Sequence, residues 1–258
     1  MLKITDLTKI FGAGTINEKA ALDKLSLTLN NGDFVTVIGN NGAGKSTLLN
    51  CIAGVHISDS GTIILDDKNI TKVKEYKRSK YIGRVFQDPL KGTAHGMTIE
   101  ENLAIANCKD KSRGLQKGIT DRERDYFREG LKRLNMGLED RMKEKVKFLS
   151  GGQRQALTLL MANMANPKLL LLDEHTAALD PSIARTVLEL TDEFAGSGNL
   201  CTLMITHNMK AALEHGNRTI VMRNGQIVMD LKGDERKEMT VEMLVEQFDI
   251  DNDRVLLG

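Results

Sequence analysis

Long apolar runs are missing from this chain. No stretch of its 258 residues approaches the roughly 18 apolar positions that a membrane-spanning helix needs. The N-terminus also lacks the apolar core of a signal peptide. A soluble protein is expected, with any membrane role exercised through a partner. Charge of one sign is missing too: 36 Lys+Arg stand against 35 Asp+Glu, a formal +1 with a pI near 7.7. Without a basic excess, broad nucleic-acid binding is not expected. Cysteine is scarce, and Cys51, Cys108 and Cys201 are odd in number and widely spaced. That pattern disfavours a disulfide framework or zinc cluster and suits reduced, mostly buried thiols, in keeping with a cytoplasmic location. His56, His95, His175 and His215 have no metal-ligand spacing and are expected at the surface or in caps. No internal repeat or low-complexity tract is present.

What is present is organised around Gly39-Asn40-Asn41-Gly42-Ala43-Gly44-Lys45-Ser46-Thr47. An apolar run, Phe34–Ile38, precedes it, and Leu48–Ile52, of helical character, follows. Strand, glycine-rich turn and helix in that order make the context of a phosphate-binding loop. The glycines let successive backbone N–H groups turn inward on an anion, and the helix N-terminus adds its positive dipole end. Lys45 is placed to reach the β- and γ-phosphates of a nucleotide, and the Ser46 hydroxyl to join a Mg²⁺ shell. A loop of this kind serves many nucleotide hydrolases and phosphotransferases alike.

Around it the chain reads as α/β. Leu2–Thr8 alternates apolar and polar residues, and Leu22, Leu25, Leu27 and Leu29 mark a second strand, ending in the turn Asn30-Asn31-Gly32-Asp33. Gly61–Leu65 and Ile82–Phe86 add two more strands. From Pro89 to about Met164 strand signals vanish, while Ile99–Ala106 and Tyr126–Leu134 carry helical spacing. The charged segment Lys109–Arg124 and the basic cluster Lys72, Lys74, Lys77, Arg78 and Lys80 are expected to be solvated. Leu169–Leu172 and Leu200–Ile205 are fully apolar, as in strands covered on both faces. Pro181 opens a helix through about Phe194, a hairpin turns at Asn224-Gly225, and an amphipathic helix is predicted over Val241–Phe248. The alternation predicts a mainly parallel sheet with a helical insertion.

Two further stretches carry chemistry. Asp173 and Glu174 close an apolar strand at its carboxyl end, where a carboxylate can hold Mg²⁺ and a second can polarise water. Ser150, Gly151, Gly152 and Gln153 precede or begin a helix to Met164, a second anion cradle on the same chain. One chain with two cradles resembles the ATPase subunit of an ATP-binding cassette (ABC) transporter. Essentially the whole sequence takes part: the Walker A loop at Gly39–Thr47, Gln87, the signature Leu149–Gln153, the Walker B strand at Leu169–Asp173, Glu174, Ala178-Leu179-Asp180 and His207 stand in family order.

The resemblance implies a P-loop NTPase with a RecA-like core over 1–90 and 165–258, an antiparallel β subdomain, and an inserted helical subdomain over 91–164. It implies ATP and Mg²⁺ as cofactors and a head-to-tail dimer, in which Ser150–Gln153 serve the nucleotide held by the other copy. Glu174 becomes the general base and His207 the γ-phosphate sensor. Gln87 touches Mg²⁺ or the attacking water, Asp180 lies at the dimer contact, and Phe11 stacks on adenine. Integral membrane permease subunits and an extracellular substrate-binding protein are the implied partners, at the cytoplasmic face of the membrane. His175 and Ala177 depart from the commoner Pro and Ser. Glu174–Asp180 is similar to a subclass of bacterial uptake ATPases associated with amino-acid import, tryptophan among the candidates. Gly96–Leu103 resembles the groove that receives a permease helix. The competing readings are an exporter motor, a P-loop phosphotransferase, and an ABC protein acting on DNA or ribosomes.

Overall fold

A computed structural model describes residues 1–108, 118–196 and 198–246. Its first sheet comes from the N-terminal strands β1 (Leu2–Phe11) and β2 (Lys19–Leu29), joined by β4 (Ser60–Leu65) and a short β5 (Lys68–Asn69) in the order β2-β1-β4-β5. All of its pairings are antiparallel. Leu2 and Ile4 alternate onto the buried face, and a register shift at Asp6 (φ 47°) returns Leu7 to the same face.

The second sheet runs β10-β9-β3-β8-β7-β6, with β3 at Phe34–Gly39, β6 at Ile82–Val85, β7 at Leu169–Asp173, β8 at Cys201–Ile205, β9 at Arg218–Arg223 and β10 at Gln226–Lys232. Five neighbours from β9 to β6 are parallel, and β10 is antiparallel to β9. The hairpin between β9 and β10 turns at Asn224 and Gly225, both at positive φ (47° and 78°), as a tight two-residue hairpin demands.

The fully apolar Leu169–Leu172 run has a simple cause. Leu169 and Leu171 pack into the core shared with α1 (Lys45–Ala53), while Leu170 and Leu172 pack into the core on the opposite face. That second core is built from α3 (Ile99–Asn107), α4 (Asp121–Lys132), α5 (Gly151–Met164) and α6 (Pro181–Gly196). Each fully buried leucine contributes about 1.5–3 kcal/mol by leaving water. Thr98, Thr120 and Ser150 start α3, α4 and α5 with complete capping boxes. Between Pro89 and Met164 the described residues contain no strand, only an isolated bridge between Thr98 and Lys145. Residues 109–117 of the charged segment lie outside the described residues; its end, from Asp121, is the first turn of α4. The predicted C-terminal helix is present over 241–246, and Phe248 lies outside the described residues. Among the described residues, no helix is long and apolar enough to cross a membrane.

Two expectations are corrected. Arg78 closes α2 (Glu75–Arg78) yet is 1% exposed, unlike the surrounding lysines. Its guanidinium donates to the carbonyls of Cys51 and Ile52 (both 2.8 Å), Thr71 (2.9 Å) and Val73 (2.7 Å). A cation there complements the negative end of α1, which basic spacing alone does not reveal. His175 is likewise buried, not at the surface, and its Nε2 meets the Thr191 hydroxyl of α6 at 3.1 Å. Burial pushes its pKa down to about 4, helped by the nearby His215.

Candidate active site

Because β3, β8, β7 and β6 are parallel neighbours, their carboxyl ends lie along one edge. Four predicted site segments leave from that edge: the loop after β3, His207 after β8, Glu174 after β7 and Gln87 after β6. Backbone bonds hold the exits together, Glu174 N–H donating to the Ile205 carbonyl (3.0 Å) and Thr206 N–H to that of Val37 (3.1 Å).

The phosphate loop is shaped by its glycines. Gly44 has φ 99°, and a Cβ there would lie 2.3 Å from the Ala21 carbonyl oxygen. Only glycine fits both the left-handed backbone and that approach. Gly44 is also the N-cap of α1 and offers no side chain to cap it, so the first N–H groups of the helix remain for an external anion. Lys45 is buried, and its ammonium donates to the carbonyls of Gly39 (2.7 Å) and Asn40 (3.1 Å). One of its three N–H donors is left for a ligand. Burial lowers its pKa, against the raising pull of Glu174 and Asp173.

A cavity of about 290 Å³ opens over the loop, lined by Phe11, Lys19, Asn41–Thr47, Glu174 and His207 among others. A second cavity beside it touches Gly39, Asn40, Asn41, Thr206 and His207. Phe11 is 38% exposed, and His56 abuts its ring in a T-shaped contact with centroids 5.3 Å apart. Lys19 is a site cation that sequence reasoning missed. Its register partner across the β1–β2 ladder is Phe11, which brings it to the same cavity; that pairing would have been the only signal.

Glu174 and His207 meet directly, Oε1 to Nε2 at 2.5 Å. Glu174 holds a positive φ of 48°, an uncommon state for a residue with a Cβ, and is largely shielded at 12% side-chain exposure, against 46% for His207. Ser46 Oγ lies 3.4 Å from Asp173 Oδ1. A hydroxyl and a carboxylate are hard oxygen donors of the kind Mg²⁺ prefers, and this ion commonly takes its other ligands from water and substrate phosphate. The residues fit the ion. Among the described residues there is no larger cluster of His, Cys, Asp and Glu that could hold a metal. Burial raises the Asp173 pKa, while Arg84, Ser46 and Lys45 pull it back down.

The remaining predicted residues stand outside the cavity. Gln87 is exposed just beyond β6. Asp180 is exposed before α6, its carbonyl accepting from Ala184 N–H at 2.8 Å. Ser150–Gln153 form the N-terminus of α5 and do not line the cavity. Ser150 Oγ accepts from Gln153 N–H (3.2 Å) and Gln153 Oε1 accepts from Ser150 N–H (3.1 Å), leaving the N–H groups of Gly151 and Gly152 without an intrahelical acceptor. A Cβ at Gly152 would lie 2.1 Å from Ile183 Cγ2, so this glycine lets α5 close on α6.

Residues 22–177 match the family described as ABC transporter. A tyrosine transport ATP-binding protein of Clostridioides difficile is 44% identical over 251 residues, covering 96% of this chain and 99% of the relative. A phosphonates import ATP-binding protein of Treponema denticola is 33% identical, with 89% of each chain covered. Among solved structures, the ATP-binding cassette MJ0796, in a dimeric post-hydrolysis state bound to ADP and Pi, superposes with a TM-score of 0.77 at 28% identity, covering 90% of this chain and 98% of the other. The ADP conformation of the cassette MJ1267 also gives 0.77, at 30% identity, with 95% and 98% covered. With a phosphate loop, a strand-end carboxylate pair and a capped signature helix all on one P-loop NTPase fold, the chain belongs to the ABC transporter family as one of its ATP-hydrolysing subunits.

Proposed function

We propose that the chain is the motor of a bacterial importer for an amino acid or related small solute, with two copies closing head to tail over two ATP molecules. The observation that carries the catalytic part is the Glu174–His207 pair at the mouth of the phosphate-loop cavity. The histidine fixes the carboxylate rotamer, and the carboxylate takes the proton of a water attacking the γ-phosphate. The Lys45 ammonium and the α1 N-terminus stabilise the charge that develops on the transferring phosphoryl group. Phe11 packs against the adenine, and Lys19 adds a second cation beside the phosphates. Ser46 and Asp173 hold Mg²⁺, which when bound neutralises phosphate charge; Gln87 reaches the same edge as the nucleotide settles.

The signature supports a composite site. Ser150, Gly151, Gly152 and Gln153 lie outside their own chain's cavity with two uncommitted N–H groups, and they serve the γ-phosphate held by the partner copy, with Asp180 at the contact between copies. Segment 91–164 carries the signature and moves with integral membrane permease subunits at the cytoplasmic face, while an extracellular substrate-binding protein delivers the solute. The import direction and amino-acid cargo rest on what the relatives are named for, above all the tyrosine transport protein, which aligns over nearly its whole length.

Glu174→Gln tests the catalytic part. Phosphate release should fall about 10²- to 10⁴-fold, and the variant should form an ATP-dependent dimer visible by light scattering. Turnover at the parent rate would remove Glu174 from the role of base. Uptake of labelled tyrosine by vesicles holding the chain with its genomic-neighbour permease tests the cargo, and no ATP-dependent uptake of any amino acid would overturn that assignment.

A further inference from the structure

Arg84 is an unusual occupant of its position. It lies on β6 opposite Leu171 of β7, in a strand pair whose neighbouring residues are apolar. Its side chain is 14% exposed, and a buried guanidinium is costly unless its donors are met. Nη2 donates to Asn50 Oδ1 of α1 at 2.6 Å and lies 3.9 Å from Asp173 Oδ2. The guanidinium sits 4.6 Å from the centroid of the Phe86 ring. Its Nε is buried without a hydrogen-bond partner, so the side chain is not simply a saturated structural strut like Arg78. Asp173 is thus addressed from two sides: Oδ1 faces the Ser46 hydroxyl and Oδ2 faces Arg84. A planar cation fixed by Asn50 and by a ring face has one orientation to offer a carboxylate.

We propose that Arg84 is a positioning residue that sets the rotation of the Asp173 carboxylate, presenting Oδ1 beside Ser46 for the divalent cation that accompanies ATP. The inference rests on the reading of Asp173 and Ser46 as the ion's protein ligands. Phe86 extends the device. Its carbonyl accepts from the side-chain amide of Gln155 at 2.9 Å, and Gln155 is a fully buried residue of α5. The backbone that carries the ring under the guanidinium is therefore tied to the helix that begins with the signature.

The test is calorimetric binding of ATP to the full chain, once with excess Mg²⁺ and once in EDTA. Outer partners of a metal-ligating carboxylate typically govern about 10- to 100-fold in metal affinity. Arg84→Met should accordingly lose that much of the Mg²⁺-dependent gain in ATP affinity, with the EDTA value changed less than about twofold. Arg84→Lys, which restores the charge without the planar fork, should recover part of the gain. An unchanged Mg²⁺-to-EDTA ratio in Arg84→Met would overturn the proposal, as would an equal loss in both media. Should Arg84→Met fail to fold, Arg84→Gln drops the charge, keeps a donor for Asn50, and carries the same expectation and refutation. Asp173→Asn controls the underlying reading: it should abolish the gain, and a variant that kept it would sink the metal-site assignment itself.

Discussion

Both α1 and α5 carry glycine at their N-termini, as the N-cap of α1 and as the first two residues of α5, and the chain treats the two ends in opposite ways. At α1 the capping residue is Gly44, no side chain caps the helix, and a cavity and a buried lysine stand over the free N–H groups. At α5 a capping box closes Ser150 and Gln153 on each other, and Gly152 exists to admit Ile183. The first start is built around a ligand. The second is a finished helix end with two spare donors, that of Gly151 on an exposed residue and that of Gly152 on one buried against Ile183, useful to something brought to it. The far ends differ as well. α1 is gripped at its C-terminus by Arg78, whereas α5 is held along its side by α6.

The sharpest way to break this contrast is to disable each start separately and mix the products. Lys45→Ala should abolish ATP binding to the single chain. Gly151→Asp should spare that binding, because a Cβ there meets nothing closer than 3.8 Å, yet should lower turnover by about 10²- to 10³-fold, because its carboxylate repels phosphate and screens the backbone donors from it. Mixed in equal amounts, the two inactive variants should regain phosphate release, since one site of each hybrid dimer is intact. No regain on mixing would refute the composite site.

Next in size is the pH response of His175, which locks the segment after Glu174 to α6. The Thr191 hydroxyl donates to the Val187 carbonyl at 2.8 Å, so it accepts from a neutral His175 carrying its proton on Nε2. With a folded pKa of about 4 against the ordinary histidine value of 6.5, the unfolded chain binds a proton between those values and the folded chain does not. The contribution of His175 to stability is therefore complete above about pH 6.5 and is lost as pH drops towards 4, by on the order of 3 kcal/mol. Urea unfolding at stepped pH should show that slope, and His175→Gln should flatten it.

Arg78→Met should cost about 2–4 kcal/mol by leaving buried carbonyls at the end of α1 without their donors. It should lower the melting temperature with ATP absent as well as present. Gly152→Ala should cost about 1–3 kcal/mol by overpacking, with Gly152→Ala/Ile183→Ala recovering most of the loss. A neutral Gly152→Ala would show that α5 and α6 yield more easily than their packing suggests.

The division between what was legible and what was not follows the range of the interactions. Gly39–Thr47, the helix start at Ser150–Gln153 and the Asn224-Gly225 turn are local, since their geometry depends on residues two to four positions apart, and these could be read directly. Arg78 and His175 were misplaced because the Cys51 and Ile52 carbonyls and the Thr191 hydroxyl that accept from them come from other elements. Lys19 and Arg84 gave no signal, because a charge on a strand shows its use only when the register names its neighbour.

From sequence alone, then, come the phosphate loop, the order of strands and helices, and the carboxylates at a strand end, all fixed by short-range backbone preference and apolar pattern. Only the tertiary structure decided that β8 lies between β3 and β7. Strand order is a long-range choice made by packing two faces of one sheet against different cores, and it is what carries His207 to Glu174 and Ser46 to Asp173.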